Sequence, residues 1–362
     1  MLYQKLITTS RIGLSKLLTA NMRSMSVKST FLQIDELGDP DKVLKKFVAQ
    51  LDAPQANEVL VKILAAPINP AVINIIQGKY GESPQLPFIP GNEAVAEVLE
   101  CGKNVKNVAV GDRIIPIGGL VGTWRTHAIF PSQDVLKVPS NVDNVNAATV
   151  TVNPATAYRM LRDFVELNAG DTVIQNGANS AVGQAVIQLC KVWNLQSVNV
   201  IRNRPNVDEL KDKLKSLGAT EVLTEEEIRT TTLFKSKKLP SPKLGFNCVG
   251  GKSATNVMRH LDNKGILVTY GAMSREPLTI PNAALIFKDI AFRGFWVSKW
   301  SKEHTLEERQ QMYNELFELM ASGKFAPPAH RMISLDEYKE AMIQLADVKG
   351  MVGQKILFDL TR

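Results

Sequence analysis

Several features are scarce in these 362 residues, and each scarcity excludes something. There are three cysteines, Cys101, Cys190 and Cys248. They are far apart, odd in number and set among apolar neighbours, which excludes a disulfide framework or a zinc ribbon and predicts free thiols in the core. The four histidines, His127, His260, His304 and His330, show no metal-ligand spacing. No apolar run approaches the roughly 18 residues that a membrane-spanning helix requires. Low-complexity segments and internal repeats are absent. Acidic residues are missing from the first 30 positions, which carry Lys5, Arg11, Lys16, Arg23 and Lys28. Of the net charge of +7, that leader holds five, leaving +2 for the rest. The basic balance is therefore weak ground for a nucleic-acid partner, and none is expected. The leader is also rich in Ser, Thr and Leu, with Leu2, Leu6, Ile7, Leu14, Leu17 and Leu18 able to line one helix face. That is the composition of a mitochondrial presequence. We expect residues 1–30 to be a leader cleaved between Ala20 and Thr30, and the remainder to work in the matrix.

What is present is ordinary globular material, 44% hydrophobic and 22% charged, with a length that predicts two domains. Residues 31–152 read as short strands broken by Pro and Gly, among them 58–64, 94–100 and 112–117. From Asn153 the texture changes. A helical pattern over 155–167 leads into alternating strands (172–175, 197–201, 221–223, 244–249, 266–270) and helices (184–193, 207–217, 253–261). Such alternation predicts parallel strands with crossover helices, a doubly wound sheet. An apolar strand is expected at 292–297. Thr305-x-x-Glu308 and Ser334-x-x-Glu337 are capping boxes that start helices, and Gly323 is a plausible stop. A last apolar segment, 354–360, should return to the first domain. The expected division is 31–152 with 293–362, and 153–292 between them.

The strand 172–175 runs into Asn176-Gly-Ala-Asn-Ser-Ala-Val-Gly183, a small-residue turn that opens a helix. Backbone N–H groups and a helix N-terminus then converge where a pyrophosphate can sit. The turn is not a clean G-x-G-x-x-G, because Ala178 and Ala181 stand where glycine is common. About 20 residues on, the next strand ends in Arg202-Asn203-Arg204. An NAD site places an acid there for the ribose 2′-hydroxyl, whereas arginine accommodates a 2′-phosphate. Taken singly, these arginines read as a solvated loop; with the turn and the βαβ series around them they predict NADPH.

Leu86-Pro-Phe-Ile-Pro-Gly-Asn-Glu-Ala-Val-Ala-Glu-Val98 and Val110-Gly-Asp-Arg113, with the second domain, resemble the medium-chain dehydrogenase/reductase superfamily. Its zinc members carry a histidine where this chain has Asn92, and no four-cysteine lobe is present, so no metal is expected. Within that superfamily, Ile76-Gln-Gly-Lys-Tyr80, Gly122-Thr-Trp-Arg-Thr126, Val152-Asn-Pro-Ala-Thr-Ala-Tyr-Arg-Met-Leu161, Asn247-Cys-Val-Gly-Gly-Lys-Ser253 and Arg293-Gly-Phe-Trp296 resemble the mitochondrial 2-enoyl thioester reductases, from about residue 30 to the end. The resemblance implies a Rossmann domain beside a discontinuous, β-rich, GroES-like catalytic domain.

It also implies Tyr80 as proton donor. By spacing alone, a core tyrosine is the better reading of that position. The implied cofactor contacts are Asn153; Asn179, Ser180, Ala181 and Val182 in the phosphate turn; Arg202, Asn203 and Arg204 at the 2′-phosphate; Tyr270, Gly271, Ala272 and Met273; Phe295, Trp296 and Val297; and Lys355. Glu93 is a structural acid in such proteins. Trp124 and Arg125 either gate the substrate mouth or pack. The implied reaction is NADPH-dependent reduction of trans-2-enoyl thioesters, carried on acyl carrier protein or coenzyme A, within mitochondrial fatty-acid synthesis. The resemblance further implies a homodimer joined through the cofactor domain. A zinc-free quinone or enone reductase, and a non-catalytic NADPH-binding regulatory protein, remain open as alternatives.

Overall fold

Parallel strands need crossover helices, and the central stretch of chain supplies them in turn. In the computed structural model, which describes residues 26–119, 121–347 and 354–361, six strands form one parallel sheet. Their spatial order is Glu221–Thr224, Gln196–Ile201, Thr172–Gln175, Leu244–Asn247, Ile266–Thr269, Ala291–Gly294. In chain order that is 3-2-1-4-5-6, the doubly wound arrangement. The order reverses between Thr172–Gln175 and Leu244–Asn247, and a ligand crevice belongs outside the carboxyl ends of the strands at that point. Both strands are buried along their whole length, as a sheet covered on two faces requires.

A second, seven-stranded sheet is built from the chain's two outer parts. Its long central strand, Glu58–Pro67, pairs antiparallel with Val95–Cys101, His127–Pro131 and Lys355–Asp359. The C-terminal strand thus returns to the first unit, as expected. A two-stranded hairpin, Val27–Gln33 with Lys45–Leu51, lies beside it.

Four expectations need correction. Most of the anticipated leader, residues 1–25, lies outside the described residues, but residues 27–30 already belong to the hairpin. The Ser29 hydroxyl there donates to the His127 carbonyl at 2.7 Å. The strand expected at 292–297 ends at Gly294; Phe295 still donates to the Thr269 carbonyl, and Trp296 then caps a helix, Val297–Glu303. The helix expected over 155–167 spans Asn153–Arg162, with Pro154 fixing its first turn. Residue 293, where the sequence suggested the return to the first unit, lies inside the sixth parallel strand.

Helices Val297–Glu303 and Leu306–Ala321 pack against helix Asn153–Arg162 in one apolar core. The Tyr158 hydroxyl donates to Glu315 at 2.5 Å across that seam. The Arg159 guanidinium lies 4.4 Å over the Trp300 ring. Both capping boxes form, at Thr305/Glu308 and at Ser334/Glu337. Cys190 and Cys248 are buried free thiols, while Cys101 is partly buried.

Candidate active site

The phosphate turn forms as its residue types demand. Gly177 adopts φ +58°, a left-handed conformation suited to glycine. A Cβ on it would lie 2.5 Å from the Cys248 sulfur. Ser180 caps helix Ala181–Val192 by accepting the Gly183 N–H at 3.1 Å. A Cβ at Gly183 would stand 2.5 Å from the Ala178 carbonyl oxygen, so glycine is required there. Ala178 is fully buried and Ala181 begins the helix, so both positions accept a methyl group. The Gln184 amide donates to the Asn179 carbonyl at 2.8 Å and pins the turn from below.

Polar side chains that the sequence did not single out brace this floor. The fully buried Asn176 amide donates to Asn247 Oδ1 at 2.8 Å and to Ser253 Oγ at 3.0 Å, while its Oδ1 accepts the Cys248 N–H at 2.9 Å. Ser253 in turn donates to Glu225. These bonds join the ends of the first and fourth parallel strands, at the switch point. An asparagine directly after an apolar strand, twice over, is the signal that could have revealed them.

Arg202, Asn203 and Arg204 follow the second parallel strand; Arg202 and Asn203 are exposed and Arg204 is half-buried. Partial burial and the neighbouring Arg202 charge both lower the Arg204 pKa. Two guanidinium groups close enough to repel fit a bound dianion.

On the other wall, Tyr270 donates its N–H to the Asn247 carbonyl, and Met273 donates to that of Cys248. Gly271, Ala272 and Met273 follow the fifth strand into an increasingly exposed loop. The Tyr270 phenol lies beside the Cys248 thiol and the Ser180 hydroxyl, and burial pushes its pKa well up. Phe295 packs edge-on against Phe164 at 6.1 Å. Trp296 meets Tyr80 edge-to-face with centroids 5.8 Å apart. Val297 begins the helix behind it. Burial raises the Tyr80 pKa; the nearby Trp296 indole works the other way.

The fit of a nicotinamide dinucleotide can be judged from unmet hydrogen bonds. Eight buried side-chain polar atoms lack a partner among the described residues. Three of them are Asn153 Nδ2, Tyr270 OH and Trp296 Nε1, all at positions expected to touch the cofactor. Buried unpaired donors are costly unless a ligand meets them, so this donor set fits the group. A narrow gap lined by Asn153, Pro154, Ala181 and Gln184 lies between helix Asn153–Arg162 and the phosphate turn. A cavity of about 380 Å³ lined by Arg162, Phe164 and Trp193 lies at the opposite end of helix Asn153–Arg162 and contains none of the expected site residues.

Lys355 is buried, and its ammonium donates to Asn69 Oδ1 at 2.5 Å. Burial lowers its pKa, and the nearby Glu93 charge opposes that. Trp124 packs rather than gates: it is fully buried, donates to the Pro67 carbonyl at 3.2 Å and meets Phe358 edge-on. Arg125 is partly buried, donates to the Val121 carbonyl and has its pKa lowered to about 10 by desolvation.

Comparison with known proteins agrees with this geometry. Residues 55–140 match the alcohol dehydrogenase GroES-like domain, and residues 181–321 match the family described as zinc-binding dehydrogenase. Among the described residues, no three His, Cys, Asp or Glu side chains gather where they could hold a metal ion. The chain is 46% identical to the human mitochondrial enoyl-[acyl-carrier-protein] reductase, over 88% of this chain and 85% of that one. It is 43% identical to the Arabidopsis thaliana protein of the same name, over 91% and 88%. Among solved structures, the complex of Etr1p with NADP and crotonyl-CoA superposes with a TM-score of 0.85 at 34% identity, covering 92% of this chain and all of that one. The Etr1p/Etr2p heterodimer from Candida tropicalis, a mitochondrial 2-enoyl thioester reductase, gives 0.84 at 35%, with 92% and 100% covered. The NADP-fitting crevice, the Tyr80–Trp296 pair and these likenesses together place the chain in the mitochondrial enoyl-[acyl-carrier-protein] reductase family of the medium-chain dehydrogenase/reductase superfamily.

Proposed function

We propose that this protein is an NADPH-dependent mitochondrial enoyl thioester reductase that turns trans-2-enoyl thioesters into saturated acyl thioesters for fatty-acid synthesis. The solved relative whose bound ligands are NADP and crotonyl-CoA supports both cofactor and substrate class. The single observation that carries the reading is the Tyr80–Trp296 pair, a phenol and an indole meeting where unpaired donors line a dinucleotide crevice.

Asn179, Ser180, Ala181 and Val182 offer the helix N-terminus to the pyrophosphate, and Arg202, Asn203 and Arg204 take the 2′-phosphate. Asn153, Tyr270 to Met273, Phe295 to Val297 and Lys355 complete the cofactor contacts. The cleft lies between a unit of residues 153–292, with its sheet completed at Gly294, and a unit built from 31–152 and the chain's C-terminal part.

Bound NADPH supplies the hydride that adds to the β-carbon of the enoyl group. The chain's own work is to hold charge and to move a proton. Hydride addition leaves an enolate on the thioester oxygen, whose charge is held by whatever hydrogen-bond donors face it. Tyr80 then delivers its proton to the α-carbon, directly or through a water, and is re-protonated from solvent. Burial keeps that phenol in its acid form. The Trp296 ring holds its orientation.

The physiological substrate in this reading is the acyl-carrier-protein thioester, with acyl-CoA as surrogate. Near Trp296, the exposed Lys299 and Lys302 are paired with Glu303 and Glu82, which leaves the exposed Lys79 beside Tyr80 to offer positive charge to an acidic carrier. The assembly is a homodimer formed through the cofactor domain. Its edge strand Ala291–Gly294 lies in the chain next to Leu285, Ile286 and Phe287, which expose 48%, 72% and 78% of their surface. Patches of this kind on a sheet edge mark association sites.

The test is NADPH oxidation by purified protein with short- and long-chain enoyl thioesters and, in parallel, with quinones. Enoyl turnover far above quinone turnover is expected. The reverse ratio would make this a quinone reductase. Cofactor binding without turnover of either would leave a non-catalytic NADPH-binding protein.

A further inference from the structure

Glu93, Asn69 and Lys355 expose 1%, 2% and 3% of their surface. A buried carboxylate and a buried ammonium are expensive, and an apolar trio of similar volume would be no less stable. The way the carboxylate is shared suggests what keeps it.

Its Oε1 accepts the Asn69 side-chain N–H at 2.7 Å. Asn69 stands at the N-cap of helix Pro70–Ile76 yet makes no cap bond with its side chain. The amide instead reaches Glu93 and Asn92, while its carbonyl accepts from Lys355. That helix ends in a Lys79 N–H bond to the Asn74 carbonyl at 2.8 Å, and Tyr80 is the next residue. Glu93 Oε2 accepts the Val152 N–H at 3.0 Å and the Thr151 hydroxyl at 3.3 Å. Val152 is the N-cap of helix Asn153–Arg162, whose first residue holds the unpartnered buried amide. A carboxylate at a helix start also complements its dipole.

We propose that Glu93 is a positioning residue whose two carboxylate oxygens separately fix Tyr80 on the substrate side and Asn153 on the cofactor side. Lys355 is the counter-ion that lets the charge stay buried. The inference rests on the functional reading above. It makes the two holds separable: loosening the Asn69 side misplaces the proton donor, and loosening the Thr151 side misplaces the cofactor amide.

The experiment uses the full chain and two readouts, the NADPH Kd by fluorescence titration and kcat with crotonyl-CoA at saturating NADPH. Thr151→Val should raise Kd about fivefold with kcat within about twofold of the parent, whereas Asn69→Ala should lower kcat about tenfold with Kd nearly unchanged. Glu93→Gln should move both, because a carboxamide NH2 must face either the Asn69 or the Val152 donor. If Asn69→Ala does not fold, Asn69→Ser, which cannot reach Glu93, is read in its place. The inference is overturned if Thr151→Val and the Asn69 variant move the same parameter by the same factor, or if neither moves either one. Failure of the parent protein to reduce enoyl thioesters would instead overturn the functional reading, while the Kd arm would still report on the Thr151 hold.

Discussion

Tyr80 follows the end of helix Pro70–Ile76 and Trp296 stands at a strand-to-helix junction more than 200 residues away, yet their rings meet at 78° with centroids 5.8 Å apart. An edge-to-face pair of this kind fixes the direction of the phenol, and its packing is worth about 1 kcal/mol beyond area burial. Tyr80→Phe keeps the ring and removes only the hydroxyl, and with it the proton. We expect kcat to fall about 100-fold, with the melting temperature and NADPH Kd close to those of the parent. A Tyr80→Phe enzyme with unchanged kcat would remove Tyr80 from the reaction.

The pH dependence follows from the same phenol. Burial raises its pKa above the ordinary 10.0. The donating form is the protonated one, so a raised pKa extends activity to higher pH. The alkaline limb of kcat should therefore fall only above pH 10.0, and the limb should vanish from the residual activity of Tyr80→Phe. A descending limb centred near neutrality would show that another group supplies the proton.

Discrimination between the two dinucleotides should rest on the arginine pair. Each charge-assisted bond to a phosphate contributes about 1.5–3 kcal/mol. Replacing both Arg202 and Arg204 by Ala should raise the NADPH Kd about 100-fold or more while leaving the NADH Kd within about threefold. Equal losses for both cofactors, measured by titration, would mean that the pair does not hold the 2′-phosphate.

How much of this was legible in the sequence depends on whether the deciding contacts are local. The strand Thr172–Gln175, the Thr305/Glu308 and Ser334/Glu337 boxes and the stop at Gly323, with φ +70°, are short-range events written in adjacent residues. The hairpin Val27–Gln33 with Lys45–Leu51 was not legible, because its first strand continues the basic leader and its partner lies beyond a short intervening helix, Pro40–Val43. Phe164, Val165 and Leu167 extend the helical period of 153–162, but Phe164 leaves the helix to pack on Phe295, a tertiary contact that propensity cannot foresee. The Asn69–Glu93–Lys355 cluster joins positions up to 286 apart in the chain. The resemblance marks Glu93 as a structural acid and Lys355 as a cofactor contact, but nothing in either neighbourhood, or in that of Asn69, foretells that the three converge.

The turn itself offers a contrast between two small residues. Gly183→Ala would bring a methyl to 2.5 Å from the Ala178 carbonyl oxygen. Backbone cannot yield as a flexible side chain can, so a cost of about 1–3 kcal/mol is expected, with a weaker NADPH Kd. Ala181→Gly, which restores the glycine familiar from the resemblance, should cost less than about 1 kcal/mol, because that site is the half-buried first turn of a helix, where no hydrogen bond within the helix depends on it. Denaturant unfolding of the two variants checks the ranking, and a more disruptive Ala181→Gly would mean that the turn is built differently.

Association is the last consequence. Ile286 and Phe287 expose 72% and 78% of their surface beside the edge strand Ala291–Gly294. Covering two such side chains removes apolar area worth about 1.5–3 kcal/mol each from water. A charge placed there must be desolvated whenever two copies meet. Ile286→Glu combined with Phe287→Glu should therefore shift a dimer to monomer in light scattering while leaving the monomer folded, because neither side chain contributes to the core. An unaltered molecular mass would place the contact between copies on some other face. Because the strand before Phe295 and Trp296 is the same edge strand, the monomeric variant should also lose activity at low protein concentration before it loses secondary structure.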